Sequence, residues 1–504
     1  MTATAEPSTK RQKLEREPLI LNFFQALTPV LHAPGQWRNP RDESRNYYTA
    51  ENWIKTAQIA ERGKIHGIFF GDSLAAYGTY KSSHLDGPFN FQEAARSGNN
   101  FPKNDPTGYL AAMAVSTKNV CFGFTCSTLS EHPYHFARRM ATMDHISGGR
   151  VGWNVVTSFL ESAARNLLNG SKLPDKALRY EKADEYLQVF YELLLSSWRD
   201  DGVVFDRDQG IFSNPEAIRE INYDGTHFKV PGPQISEPSP QRIPLIIQAG
   251  TSEKGALLGA KHSELIFLAG EGPEIVKQKI DTIKKLASEK YGRNPDHIKF
   301  VTIIQVLVAP TTEEANAKWE EIQKFDDVEG KLTQMGGYGV DLSLVDWDED
   351  CTLSENQPIR EMALRHQKAN PGVLINKRFL VRSVKSKFVG NPVEVADLIE
   401  DYVDRSGVDG FNFTSFVFPE TFEGIVDLLI PELQKRGLAQ KEYAVEGGTY
   451  REQVYRQKGQ TFVPEDHYAY PLRWKAGVSK EEFEESLKKV KAEQDKLKIY
   501  AYKD

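Results

Sequence analysis

The chain has 504 residues, 40% hydrophobic and 26% charged, with a net charge of -7, an ordinary globular balance for one large domain or two to three smaller ones. The acidic balance, with no long basic run beyond the N-terminus, argues against nucleic-acid binding, and no apolar run reaches the ~20 residues of a membrane helix. Three cysteines without a Cys-x-x-Cys pair suggest neither a disulfide framework nor a zinc ribbon, which fits a reducing, cytoplasmic setting.

Residues 1–18 lack the apolar core of a secretory signal and read as a disordered tail, with KRQK as a solvated basic stretch rather than a nuclear address. After them, short apolar runs alternate with helix-period segments. LILNFFQAL (19–27) precedes a helix near 49–62, and GIFFGDS (67–73) precedes one near 106–117. VCFGFTCST (120–128) leads into 133–147, where Pro133 suits a first helical turn, and RVGWNVVTS (150–158) leads into 179–198. PLIIQAGTS (244–252), SELIFLAG (263–270) and IKFVTIIQVLVA (298–309) each run into a helical segment. GFNFTSFVF (410–418), after a helix near 392–406, completes the set and precedes a helix from 420. Eight strand–helix units predict an α/β chain folded as a TIM (β/α)8 barrel over 19–439. A doubly wound sheet is the alternative, but the first turn, QALTPVLHAPGQW, has no Gly-x-Gly-x-x-Gly. Segments 74–105, 200–243 and 326–386 interrupt the repeat and are expected at the C-terminal face of the strands, as lids over the mouth; 440–504 is a C-terminal extension.

In such a barrel the chemistry gathers at the strand C-termini. Collected there are Asp72, Thr125, Ser127, Asn154, Thr157 and Ser158, with Gly250, Thr251 and Ser252 after the fifth strand. This set of hydroxyls and a single carboxylate lacks the paired acids of a glycosidase and any metal cluster, and it suits a polar ring system with a phosphate. Gly250–Ser252 opens a helix whose free N–H groups could hold an anion, although Ser252 as a plain N-cap explains the same residues. Asp72 caps a turn or accepts from ligand N–H and hydroxyl groups, and Tyr180 is a core aromatic or a phosphate contact. His132 and His135, one helical turn apart, read as helix-start or surface residues rather than a metal pair. DHISGGR reads as a helix C-cap and turn.

APGQWRNP, ERGKIHGIFFGDS, DHISGGRVGWNVVTS, RYEKADEY, PLIIQAGTSEKG and IPELQKRGL, in this order from about residue 19 to 450, resemble the nitrilotriacetate and dibenzothiophene-sulfone monooxygenase branch of the bacterial luciferase-like flavin superfamily. The resemblance implies a two-component monooxygenase: a separate NAD(P)H-dependent flavin reductase supplies reduced FMN (FMNH2), which reacts with O2 to give a C4a-(hydro)peroxide that oxidises a small organic substrate. A homo-oligomer is also implied. Carried onto this sequence, the FMN contacts fall on Asp72, Thr125, Thr157, Ser158, Tyr180 and the loop Ala249, Gly250, Thr251, Ser252. Trp153, Val155 and Val156 would build the wall, with Asn154 facing the flavin. Lys176 stands where relatives often have histidine, and is assigned to the phosphate as a point charge. Phe23, Phe24, Trp37 and Phe69 are assigned to an apolar substrate side. The same barrel would also serve a flavin or deazaflavin oxidoreductase without oxygen insertion, or a non-catalytic flavin-binding protein.

Overall fold

A computed structural model describes residues 16–82, 89–270, 272–382 and 385–499; the expected N-terminal tail up to residue 15 and the last five residues lie outside these. Eight parallel strands close into a barrel: β1 Ile20–Gln25, β2 Gly67–Phe70, β3 Cys121–Ser127, β4 Val151–Val156, β5 Leu245–Gln248, β6 Leu265–Leu268, β7 Lys299–Gln305 and β8 Gly410–Thr414. Each pairs with its neighbours in chain order, and β1 closes on β8 through Ile20–Gly410 to Phe23–Phe413. Around them run α1 Ala50–Arg62, α2 Leu110–Ser116, α3 Pro133–Ser147, α4 Lys176–Leu195, α5 Glu253–His262, α6 Pro273–Tyr291 and α7 Pro392–Ser406. A last helix, α8, spans Glu420–Lys435 with a π-helical stretch at Ile425–Leu429 just ahead of Pro431, which has no N–H to give. Among the described residues no helix is long and apolar enough to cross a membrane.

The pleat sorts each strand into two faces. In β1, Leu21 and Phe23 point out to the helices, whereas Ile20 and Phe24 point into the barrel. The interior holds Ile20, Phe24, Phe69, Cys121, Leu245, Ile247, Leu265 and Val301. Its N-terminal end is stoppered by the C-terminal extension: Tyr450 and Val454, on the helix Tyr450–Tyr455, are fully buried in that cluster. Gly67 and Gly152 leave the space, since a Cβ at either would sit 2.9 or 3.1 Å from the Tyr450 side chain. Arg451 beside it is buried and pairs with buried Glu264 at 2.7 Å, while also donating to Ile243 and Pro244 carbonyls.

Two expectations need correction. Segment 200–243 does not cover the mouth. It joins α4 to β5, so α4 has already returned the chain to the barrel's N-terminal end. Its end is anchored there, with Gln241 donating to Asp144 and to the Val151 carbonyl at 2.7 and 2.9 Å. Its hairpins are Val203–Asp206 with Ile211–Ser213 and Tyr223–Asp224 with Lys229–Val230, the second held on α4 through Glu181 and Glu185, and none of the segment's residues lines the cavity at the mouth. The helix that packs beside α6 in the seventh unit is α7; Thr312–Gln323 packs instead on a short ladder, Leu307–Val308 with Val389–Gly390. Segment 326–386 therefore extends an excursion that leaves from the C-terminal end of β7. Its residues 332–381 form a small core of their own with Tyr80, against 74–105, so both of these segments do lie at the mouth.

Candidate active site

The strand C-termini and these two segments enclose a cavity of about 1750 Å3, more than the roughly 300–1,000 Å3 of a typical single-ligand pocket. The period of two in β4 explains its polar wall. Trp153 turns outward, donates to the Cys126 carbonyl at 3.0 Å and packs on Phe136 and Phe190. Asn154 turns inward and donates to Thr125 Oγ1 at 2.8 Å. Asn154 Oδ1 and, on β5, Gln248 Oε1 are buried without a protein hydrogen-bond partner, and both residues line the cavity. Such orphans call for a ligand presenting N–H or O–H groups.

Beyond β4 the chain turns sharply. Ser158 has φ +59, a left-handed conformation unusual for serine and often retained at functional sites. Its hydroxyl is 2.7 Å from Ser127 Oγ, and Arg179 of α4 fixes the turn by donating to the Thr157 and Ser158 carbonyls. Thr157, Ser158 and Tyr180 all line the cavity.

After β2, Asp72 Oδ1 accepts from the Ser73 N–H at 2.9 Å and lies 3.9 Å from Lys103 Nζ. Burial pushes the Asp72 carboxyl up to about 6 and the Lys103 ammonium down to about 8, each only partly offset by the other's charge. Lys103 is held by Ser73 Oγ and Asn100 Oδ1 at 3.1 and 2.8 Å.

After β5 comes a tight approach. A Cβ on Gly250 would lie 2.5 Å from Gln248 Nε2 and 2.8 Å from the Tyr180 hydroxyl; one on Gly255 would lie 2.7 Å from the Gly250 carbonyl. The turn is thus pressed onto the first turn of α5, whose N–H groups and dipole favour an anion.

The sequence-derived set divides at this point. Asp72, Thr125, Thr157, Ser158, Tyr180, Ala249 and Gly250 share the one cavity. Thr251 and Ser252 sit half-buried at its edge without lining it, and Ser252 acts as the N-cap of α5, accepting from the Gly255 N–H at 3.3 Å. Lys176, first residue of α4, is exposed and does not line the cavity. On the apolar side, Phe24 and Phe69 form a floor with Phe267, ring centroids 5.3–5.5 Å apart. Phe23 instead stacks outward on Phe422, and Trp37 is exposed with its indole bonded to the Ser97 carbonyl. His132 caps α3 through Tyr134 N, His135 pairs with Glu131, and among the described residues no group of three or more ligating side chains could hold a metal.

Sequence reading missed Lys103, Arg139, Arg165, Gln248 and His32, all of which line the cavity. Gln248 closes the fifth strand and was recoverable by the strand-end rule. Lys103 and His32 come from irregular loops, and no periodicity marks them. Opposite the polar wall stands an apolar one. Ala75, Tyr77, Leu160 and Ala163 cluster, and Tyr338 of the 326–386 segment lies over Tyr77 and Phe159 at 6.4 Å from each.

The model of the luciferase-like monooxygenase family matches residues 34–410. Among curated relatives, the long-chain alkane monooxygenase of Geobacillus thermodenitrificans is 42% identical, covering 90% of this chain and 97% of its own. Nitrilotriacetate monooxygenase component A of Aminobacter aminovorans is 30% identical over 83% and 93%. Among solved structures, a riboflavin lyase with modified FMN and riboflavin superposes with a TM-score of 0.81 at 28% identity, over 91% of this chain and 100% of that one.

Proposed function

This chain belongs to the luciferase-like monooxygenase family of flavin-dependent enzymes, and from that premise we propose that it is the oxygenating component of a two-component system using reduced FMN from a separate NAD(P)H-dependent reductase. The observation that carries the reading is the convergence of Asp72, Thr125, Asn154, Thr157, Ser158, Tyr180 and the Ala249–Gly250 turn on one cavity. Reduced flavin supplies the electrons that activate O2, one oxygen atom going to substrate and the other to water. Asn154 and Gln248 offer their unpartnered amide oxygens to the N–H groups of the ring. Asp72, held by Ser73 and Lys103, receives ring or ribityl donors, while Thr125 holds Asn154 in place. Tyr180, Thr157, Ser158 and the Gly250 turn receive the phosphate, and Thr251 and Ser252 reach it only through their backbone at the cavity edge. Lys176 is given no contact in this reading. Tyr77, Leu160 and Tyr338 keep bulk water from the reacting centre.

The charge balance of the cavity bears on the substrate. Its lining holds Lys103, Arg139 and Arg165 against Asp72, Asp105 and Glu131. These balance three against three and the phosphate adds negative charge, so the substrate is a neutral, largely apolar molecule on the Tyr77–Leu160–Tyr338 wall, in keeping with the name of the alkane monooxygenase relative. Incubation with FMN, NADH and a flavin reductase under air tests both statements. Oxygenated product from alkanes or thioethers, and none from polycarboxylates, is expected. Folded protein that neither binds reduced FMN nor forms an oxygenated product would overturn the first statement, and preferred turnover of polycarboxylates the second.

A further inference from the structure

Next to the flavin cavity lies a second, much smaller hollow of about 40 Å3, bounded by the loop after β1, by Asp42, Ser44 and Tyr47, and by Ser415, Phe416 and Phe418 after β8. Phe24, Leu31 and His32 line both hollows, and His32 is the one polar residue among these three. Four buried polar atoms of the small hollow's lining find no protein partner: Thr28 Oγ1, His32 Nε2, Gln36 Oε1 and Ser44 Oγ. Thr28 and Gln36 are only 5% and 4% exposed, so bulk solvent does not serve them. Buried polar groups are seldom left unbonded, and four around one small space mark it as polar. At about 10–15 Å3 per molecule the hollow has room for roughly three or four waters, each able to donate to one of these atoms and accept from another. Asp42 lines the same space and is half-buried, so it touches solvent; its two oxygens accept from Ser44 and Phe418 N–H groups at 2.9 and 2.8 Å.

We infer that this hollow is a hydrated side chamber through which His32 exchanges protons between the flavin cavity and Asp42. The hydration stands on the geometry alone; the proton traffic rests on the monooxygenase reading. The imidazole releases the proton of one ring nitrogen to an acceptor in the flavin cavity and takes another at Nε2 from chamber water. That water recovers its proton from the Asp42 carboxyl or from solvent beyond it. No electron moves. The titratable groups around the ring are Asp42 and Tyr47 in the chamber, and Lys103 with Asp72 beyond it in the flavin cavity. Burial and the Lys103 charge hold the imidazole neutral, pushed down to about 4, and burial raises the Asp42 carboxyl. A neutral ring can relay a proton by changing tautomer.

Thr28→Val keeps the shape and removes one hydroxyl. In a hydrated chamber the bound water loses a partner and Tm falls; in a dry one an orphan disappears and Tm rises. High-resolution crystals of the wild-type chain should show water within hydrogen-bond distance of His32 Nε2 and Gln36 Oε1. A rise in Tm, or a chamber without density, overturns the hydration. His32→Gln should bind reduced FMN within twofold of wild type but oxidise substrate about tenfold or more slowly, with a flattened pH profile. An unchanged rate and profile beside active wild type refutes the relay and leaves the monooxygenase reading intact. Wild type without O2-dependent turnover refutes that reading and the relay together, and the water density and Tm still decide the chamber.

Discussion

Replacing Gly250 by alanine tests the flavin site with the least chemical change. The added Cβ would stand 2.5 Å from Gln248 Nε2 and 2.8 Å from the Tyr180 hydroxyl. Reaching the 3.4 Å of ordinary contact moves the amide by about 0.9 Å and the phenol by about 0.6 Å, or lifts the turn off α5 by a similar amount. The Gly250 φ is not in the left-handed region, so the backbone itself accepts alanine. The effect should therefore fall on the ligand rather than the fold. Misplacement by about 1 Å can cost a hundredfold, and reduced-FMN affinity should drop on the order of tenfold to a hundredfold. Anaerobic titration of the protein with reduced FMN, followed by flavin fluorescence, measures this, with a thermal melt to show that the fold survives. An affinity within twofold of wild type would refute the reasoning, because the turn could not then be pressed against the bound cofactor.

Asp72→Asn bears on pH. The folded carboxyl is held near 6 and its ordinary value is 3.8, so the folded chain keeps a proton that the unfolded chain has released. Stability thus falls as pH rises from about 4 to 6, by up to about 3 kcal/mol, with the attraction to Lys103 already counted. The Tm of the variant relative to wild type should rise across that window, and parallel curves would contradict it. Ser158→Gly relieves a left-handed φ worth about 1 kcal/mol. It should leave Tm equal or higher while weakening reduced-FMN binding, and a lower Tm with unchanged binding would count against the assignment. Glu264→Gln strips the buried partner from Arg451 and should cost about 3–5 kcal/mol in urea unfolding. A loss below about 1 kcal/mol would mean that the stopper at the barrel's N-terminal end is held by other contacts.

The barrel was legible because each strand is buried on both faces and so reads as an unbroken apolar run, with its helix close behind. Strand ends inherit their role from topology, which is why Asp72, Thr125, Asn154, Thr157 and Gly250 could be named before the structure. Offset matching could not show that Lys176 is exposed outside the cavity lining, because it says nothing of which way a helix's first turn points. Segment 200–243 was misplaced because its composition gives no sign of whether it packs at the mouth or along the outside of α4. Phe23 and Phe24 show how fine the distinction is. Adjacent and chemically identical, they face opposite sides of β1, and the register that decides between them is fixed by pairing with β2 and β8. Lys103 and His32 reach the cavity through loops whose paths depend on tertiary packing. The Tyr450 stopper is contributed by a segment some 380 residues from Gly67, which makes room for it.

The most direct test of the account is a crystal structure of this chain with FMN. The ring edge should lie about 3 Å from the Asn154 and Gln248 amides, with the phosphate at the Gly250 turn and the Tyr180 hydroxyl. Flavin bound elsewhere, with Asn154 Oδ1 and Gln248 Oε1 still unpartnered, would contradict it.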